Sequence, residues 1–198
     1  MNKFLSLLFI FLLALSVNAR ADHHQTAIFN GKDLRGWKVP ENNIWYLVED
    51  GIMKIRSGPE KKGSILWTEK EFENFVVELD FRFGEGIVDS GVHIRNMDQI
   101  QIGISGSLKR DMTASPYIPK KGYPVEAEGV KELLKAKDWN HMKIEAKGMT
   151  YTCWLNGQKV MTYTSESGQK KGPIGLQLHG SRDMGIDYRN IKLEELKP

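Results

Sequence analysis

The chain has 198 residues; 40% are hydrophobic and 27% are charged, and 28 basic against 25 acidic side chains give a formal charge of +3. This near balance lacks the strongly basic surface that nucleic-acid binding requires, so we expect no nucleic-acid partner and no acidic one. Cys153 is the one cysteine, so no intrachain disulfide can form. Because it lies far from the N-terminus, we also expect no lipid anchor, and we interpret it as a buried thiol within a strand.

The N-terminal segment has the composition of a secretory signal peptide. Lys3 precedes an almost unbroken apolar run over residues 4–17, and the small-x-small sequence Ala19-Arg20-Ala21 follows. A run of this length is too short for a transmembrane span of about 20 residues. We therefore expect residues 1–21 to be a signal peptide cleaved near Ala21, and residues 22–198 to form a single periplasmic or secreted domain without a membrane anchor.

Alternation of apolar and polar residues dominates the rest of the chain, as in half-buried β-strands. The dipeptide Asn156-Gly157 favours a type I′ hairpin. Many short strands at this spacing predict an all-β sandwich. The predicted strands are Ile44–Val48, Ile52–Arg56, Ser64–Trp67, Phe75–Phe83, Gly91–Arg95, Gln99–Ile104, His141–Lys147, Thr150–Leu155, Gln158–Thr164, Ile174–His179 and Ile186–Leu193.

Two segments depart from this pattern. Glu126–Lys137 has a helical pattern, whereas Ser105–Tyr123 is rich in Gly, Ser, Pro and Lys and is predicted to be a long irregular loop. Since the loop directly follows a polar strand, it is placed to fold over that strand's polar face, where Tyr117 or Tyr123 would stack on a ring. A flexible insertion is an equally good interpretation.

Three predicted strands carry polar side chains on one face and an apolar wall on the other, because successive strand residues point to opposite sides. Two histidines, an arginine and three amides on such a face suit the binding of a neutral, hydroxyl-rich ligand and the transfer of a proton on it. The pattern indicates sugar chemistry. The side chains predicted to share a face are His93 with Arg95, Gln99 with Gln101, and Gln177 with His179.

Other candidates are weaker on the same reasoning. His141 lies on a strand whose neighbours Met142 and Ile144 alternate inward, so we expect it on the outer surface with no role. Tryptophans in small sandwiches usually bury most of their area. At most one of them, Trp67, is expected to touch a ligand.

Several motifs, in order and in register from Ile28 to Leu193, resemble the family long catalogued as DUF1080. This family is now described as 3-keto-disaccharide hydrolases, or 3-keto-glucoside lyases and hydratases. Each motif alone is weak, but their order and spacing together are specific. The motifs are Phe29–Trp37, Asp89–Arg95, Gln99–Ile102, Asp138–Asn140, Trp154–Gly157, Gly175–Gly180 and Tyr188–Ile191.

The resemblance implies a concanavalin A-like jelly roll of two curved antiparallel sheets, with the ligand on the concave face of one. It also implies a small-molecule glycoside whose sugar carbon 3 an upstream glucoside 3-oxidoreductase has oxidised to a ketone. Such a ketone acidifies the hydrogen on carbon 2, so a base can remove it while the aglycone leaves carbon 1, and water can then add. A divalent metal ion bound to the ketone is a possible cofactor.

When the family's functional residues are matched position by position to this sequence, the resemblance implies that His93 and His179 are catalytic. Asp80 and Arg82 lie on the polar side of a matching strand, where a structural ion pair of Asp80 with Arg82 or Arg95 is an equally good interpretation. The implied substrate-binding residues are Asp80, Arg82, Arg95, Gln99, Gln101 and Gln177.

Gln99 is the clearest departure from the family pattern, which commonly has glutamate there; Asp89 also replaces the commoner asparagine. An amide cannot ionise, so the substitution removes a candidate base or metal ligand. The alternative function is therefore a non-catalytic carbohydrate-binding module on the same fold.

Overall fold

The computed structural model describes residues 25–197, and the predicted signal peptide lies outside them. The described chain consists almost entirely of strands joined by turns, with one short helix, α1, at Val130–Leu133. No helix in this part of the chain is long and apolar enough to cross a membrane. The strands are β1 Thr26–Ala27, β2 Trp37–Lys38, β3 Tyr46–Glu49, β4 Ile52–Arg56, β5 Ser64–Thr68, β6 Phe75–Gly86, β7 Asp89–Ile94, β8 Asp98–Gly103, β9 Pro116–Tyr117, β10 Asn140–Lys147, β11 Thr150–Leu155, β12 Gln158–Thr164, β13 Gly175–Leu178 and β14 Met184–Glu195.

The strands form two antiparallel sheets. The eight-stranded sheet has the order β12-β11-β10-β6-β14-β4-β3, with β1 paired to β14, and the six-stranded sheet has the order β2-β5-β13-β7-β8-β9. Their inner faces pack together because the apolar residues of each strand alternate inward. The predicted lectin-like sandwich is confirmed. Buried contributors include Val77, Leu79 and Phe81 from one sheet and Val92, Ile100 and Leu176 from the other.

Each predicted strand is present, and the hairpin prediction is confirmed. Asn156 and Gly157 have φ of 49° and 88°, the positive pair that a type I′ turn requires. The strands that period-two reasoning missed, β1, β2 and β9, each contain two residues. A pair of residues is too short to show any alternation.

The predicted helix over Glu126–Lys137 is wrong except for its central turn. Gly129 precedes α1 in a left-handed conformation without a side-chain cap, and Leu134 is already extended. Beyond it, the Asn140 side chain accepts from Lys135 N at 2.8 Å and donates to Lys135 O at 2.9 Å. These bonds take the backbone groups that a longer helix would use.

Arg95 does not share a face with His93, contrary to the prediction. Strand β7 ends at Ile94, and Arg95 has a φ of 51°, so the two-residue alternation stops before it. Its fully buried guanidinium donates to the carbonyls of Gly148 at 2.6 Å, Gln169 at 3.2 Å and Ala146 at 3.2 Å. Arg95 therefore ties the end of β7 to the end of β10 in the other sheet and to the loop that contains Gln169.

Asp80 and Arg82 lie on the outer face of the eight-stranded sheet, on the other layer from β7, β8 and β13. Asp80 bonds Asn190 at 2.7 Å and His141 at 2.9 Å, and Arg82 donates to Asp187 at 2.7 Å. Burial alone would raise the pKa of Asp80, but hydrogen bonds from His141 and Asn190 hold it below its usual value. Asp80 also lies 3.2 Å from Arg189 Nε, so both residues are in ion pairs, with partners other than those considered from the sequence. His141 is on the surface as predicted.

Candidate functional site

The outer face of the six-stranded sheet carries three parallel rows of side chains, defined by the strand register. The first row runs across the whole sheet and contains Lys38, Trp67, Gly175, His93, Gln99 and Tyr117. In the second row Ile65 lies opposite Gln177, and Gly91 lies opposite Gln101. The third row contains His179, just after β13, and Asp89 at the start of β7.

Two glycines make room for larger side chains in neighbouring strands. A Cβ atom at Gly91 would lie 2.1 Å from Gln99 Nε2, and one at Gly175 would lie 2.5 Å from Trp67 Cζ3. Real Cβ contacts are never this short, so Gln99 leans over the backbone of β7 and Trp67 leans over that of β13. The rows are therefore packed across strands as well as along them.

The three glutamine amides form a chain of hydrogen bonds whose donor-to-acceptor direction is set by a carboxylate. Because Asp89 only accepts, Gln101 presents Nε2 to it at 2.8 Å and its own oxygen to Gln99 Nε2 at 3.0 Å. Gln99 Nε2 also lies 3.0 Å from Gln177 Oε1 and 3.1 Å from the Ser90 carbonyl, so its two hydrogens are shared among three acceptors. This order leaves the Gln177 amide nitrogen as a donor for a ligand.

Asp89, His179 and Arg182 form the charged end of the site. Asp89 is 3% exposed, and its Oδ2 atom lies 3.3 Å from Arg182 Nη1 and 3.8 Å from His179 Nε2. His179 Nδ1 lies 2.8 Å from the Gly180 carbonyl, which can only accept. The proton of the neutral ring therefore sits on Nδ1, and Nε2 carries the free lone pair that a general base needs.

The loop over 105–123 closes one side of this site, as predicted. Tyr117, in β9, pairs with Gln99, and its ring packs edge-on against Tyr123 at 5.3 Å. Burial raises the pKa of Tyr123, so its hydroxyl keeps its proton at neutral pH. The interpretation of this loop as a flexible insertion does not fit a segment paired to the sheet.

Together these residues line a cleft of about 360 Å³, within the range of small-molecule sites. A Cβ atom at Gly106 would lie 3.0 Å from both Arg182 Nη2 and Asp89 Oδ2, so this glycine opens the cleft above the charged pair. The lining residues are Asp89, Gln99, Gln101, Ser105, Gly106, Ser107, Tyr117, Tyr123, Gln177, His179 and Arg182.

The structure brings together four of the residues predicted from the sequence, Gln99, Gln101, Gln177 and His179. His93 shares their sheet face but does not line the cleft. Both of its ring nitrogens are buried without a hydrogen-bond partner, and the ring centre lies 5.2 Å from that of Trp67. Burial lowers the pKa of His93 to about 4, so the ring is neutral at pH 7.

Sequence reasoning assigned no role to Asp89 or Arg182. Asp89 lies four residues before His93 in the same strand, so alternation alone could have placed its side chain on the same polar face. Arg182 lies in the turn between β13 and β14, where no periodicity exists to show the direction of a side chain.

The donor set of the cleft does not fit the possible divalent metal ion. The described residues contain no group of three or more His, Cys, Asp or Glu side chains arranged to hold one. The cleft offers one carboxylate, Asp89, and one imidazole, and the Arg182 guanidinium already lies 3.3 Å from that carboxylate. A divalent ion needs more oxygen or nitrogen ligands than one ion-paired carboxylate and one imidazole supply, so we derive no step through a metal.

A sandwich of two antiparallel sheets with a polar cleft on one outer sheet face defines the lectin-like class of protein fold. Within this class, the sequence model of the 3-keto-alpha-glucoside-1,2-lyase-like domain matches residues 24–194. The chain belongs to this family.

Solved structures agree with this fold. A Parabacteroides distasonis protein provisionally assigned as a glycosyl hydrolase is 25% identical with a TM-score of 0.62, covering 87% of this chain and 100% of its own. Another from that organism is 21% identical with a TM-score of 0.66, covering 87% and 94%. The carbohydrate-binding module CBM66 of Bacillus subtilis is 15% identical with a TM-score of 0.53, covering 81% and 96%. None of the curated proteins matches the chain.

Proposed function

We propose that this protein cleaves the glycosidic bond of 3-keto-glucosides by elimination, followed by hydration of the product. The observation that carries the proposal is the convergence of His179 Nε2, the Asp89 carboxylate and Arg182 on one polar cleft. Ordinary glycosidases need two placed carboxylates, and this cleft has one. A ketone at carbon 3 removes that need, because it acidifies the hydrogen on carbon 2.

His179 is the proposed base. Its Nε2 lone pair takes the proton from carbon 2, and the resulting imidazolium then lies 3.8 Å from Asp89 Oδ2. That oxygen is buried, and apart from its ion pair with Arg182 at 3.3 Å it has no hydrogen bond. Asp89 is the proposed partner of the positive charge that the base acquires.

The negative charge develops on the oxygen at carbon 3. Arg182 and the Gln177 amide nitrogen line the same cleft and are the proposed donors to this oxygen. As the bond between carbon 1 and its oxygen breaks, the leaving oxygen takes a proton, and Tyr123 of the same cleft is the proposed donor. The product is an enone, to which water can add.

The substrate requires prior oxidation at carbon 3. We therefore also propose an upstream glucoside 3-oxidoreductase as the source of the substrate, and a periplasmic or secreted site of action, as the N-terminal sequence predicts.

The test uses a 4-nitrophenyl 3-keto-glucoside and follows aglycone release together with enone absorbance. We expect His179→Ala to lower the rate by a factor of about 10² to 10⁴, because it removes a general base. His141→Ala is the matched control, since this histidine lies on the other sheet and should keep the wild-type rate. A chelator should not change the rate. Full activity in His179→Ala would contradict the assignment.

A non-catalytic carbohydrate-binding module is the second candidate. Gln99 supports it, because this residue sits at the centre of the cleft and cannot ionise. Stoichiometric binding of an unoxidised glycan, with no turnover of the keto form, would favour this candidate over the first.

A further inference from the structure

A second depression adjoins the cleft on the outer face of the six-stranded sheet. This groove runs between β5 and β13 and encloses about 440 Å³. Ser64, Ile65 and Trp67 line it on the β5 side, while Gln177 and His179 line both the groove and the cleft. His179 therefore stands at the boundary of two connected spaces.

Trp67 forms a fixed, partly exposed platform in this groove. On one side it is held against the backbone of β13, where a Cβ atom at Gly175 would lie 2.5 Å from Trp67 Cζ3 and 2.6 Å from Ile65 Cγ2. Beyond Gly175 in the same row, its ring centre lies 5.2 Å from that of the partly buried His93. A ring held in this way can stack on a ligand without losing rotamer freedom, which favours binding.

The groove and the cleft differ in charge. Among the described residues that line the groove, none is ionisable except His179, whereas the cleft contains Asp89 and Arg182. The charged end can stabilise a developing oxyanion. The groove lining itself carries no such charge, and the nearest cation in the first row is the exposed Lys38, opposite Trp67 on β2. An uncharged ring suits the groove.

We infer that the groove is the subsite for the leaving group, and that this group is an uncharged ring which stacks on Trp67. The reacting sugar then lies in the cleft, with the scissile bond beside His179. The position of the reacting sugar rests on the proposed function.

Binding of unoxidised glycosides tests the subsite without any turnover. Isothermal titration would compare methyl glucoside with 4-nitrophenyl glucoside, each as both anomers. In the wild-type protein we expect the aryl glucoside of one anomer to bind about tenfold more tightly than its methyl counterpart. In Trp67→Ala the ratio should fall to near one.

Trp154→Ala is the matched control, because Trp154 is a partly exposed tryptophan on the other sheet that packs with Lys143; it should keep the wild-type ratio. Gly175→Ala is a second variant, which displaces the platform without removing it and should lower the ratio. Equal affinities in the wild type, or an aryl preference that persists in folded Trp67→Ala, would overturn the inference.

The binding test of the subsite can succeed or fail independently of the proposed lyase function. An aryl preference that depends on Trp67 in a protein that cleaves no 3-keto-glucoside would retain the subsite and reject the lyase activity. Cleavage of a 3-keto-glucoside by a wild-type protein that shows no aryl preference would retain the lyase activity and reject the subsite.

Discussion

At the residue scale, Asp89 determines which groups of the cleft donate hydrogen bonds and which accept them. This carboxylate accepts from Gln101, which orients the amides of Gln99 and Gln177 in turn, and its second oxygen faces Arg182 and His179. One buried charge thereby sets the donors and acceptors across three strands.

Asp89→Asn tests this role. The asparagine is similar in size but removes the charge that faces the imidazolium, so we expect kcat/KM on a 3-keto-glucoside to fall about 10-fold to 100-fold. Asp187→Asn is the control, because Asp187 is an equally buried carboxylate that pairs with Arg56 and Arg82 on the other sheet. It should affect stability and leave kcat/KM unchanged. Equal losses in the two variants would contradict a specific role for Asp89.

His93 makes a separate prediction about stability and pH. Its pKa is about 4 in the folded protein and near the ordinary 6.5 when unfolded, so the unfolded chain binds more protons between these values. Stability should therefore fall as pH drops below 6.5, with His93 contributing about 2 kcal/mol of loss between pH 7 and pH 5.

Urea unfolding at pH 7 and pH 5 measures this contribution. His93→Phe keeps an aromatic ring against Trp67 and removes the titration, so its stability should differ less between the two pH values. At pH 5 most carboxylates are still ionised, which limits their share of the difference. An unchanged pH dependence in His93→Phe would contradict the buried, neutral state of this ring.

At the element scale, close approach between neighbouring strands shapes the site. Gly91 on β7 lies beneath the Gln99 side chain of β8, and a Cβ atom there would lie 2.1 Å from Gln99 Nε2. The pairing of β7 with β8 therefore holds the central amide in place.

A double-mutant cycle tests this packing. Gly91→Ala should displace Gln99, lower stability by about 1–3 kcal/mol through overpacking and weaken glycoside binding. Adding Gln99→Ala removes the obstructing amide, so the double variant should be more stable than the two single effects predict when added. Strictly additive free energies of unfolding would show that the two side chains do not compete for the same space.

The elements also show how far the sequence predicts this structure. Period-two alternation identified the longer strands and the polar face with Gln99, Gln101, Gln177 and His179, because buried faces fix the register of a strand. It failed at Arg95, where a left-handed residue ends β7, because such backbone changes leave no mark on the alternation. It also could not place Arg182, since a turn has no period.

At the scale of the whole molecule, the two sheets divide the charged residues between different tasks. The outer face of the eight-stranded sheet carries ion pairs such as those of Asp80 and Asp187, whose pKa values are lowered by their hydrogen-bonded partners although burial alone would raise them. The six-stranded sheet carries the cleft and the adjoining groove. This division explains why a polar strand pattern alone could not distinguish site residues from structural pairs.

The most direct test of the account follows the hydrogen on carbon 2 during turnover in D₂O. Elimination removes this hydrogen, so the hydrated product formed by the wild-type protein should carry deuterium at carbon 2 from the earliest time points. The product incubated alone corrects for spontaneous exchange. Aglycone release with the original hydrogen retained at carbon 2 would contradict the proposed elimination and indicate direct displacement at carbon 1.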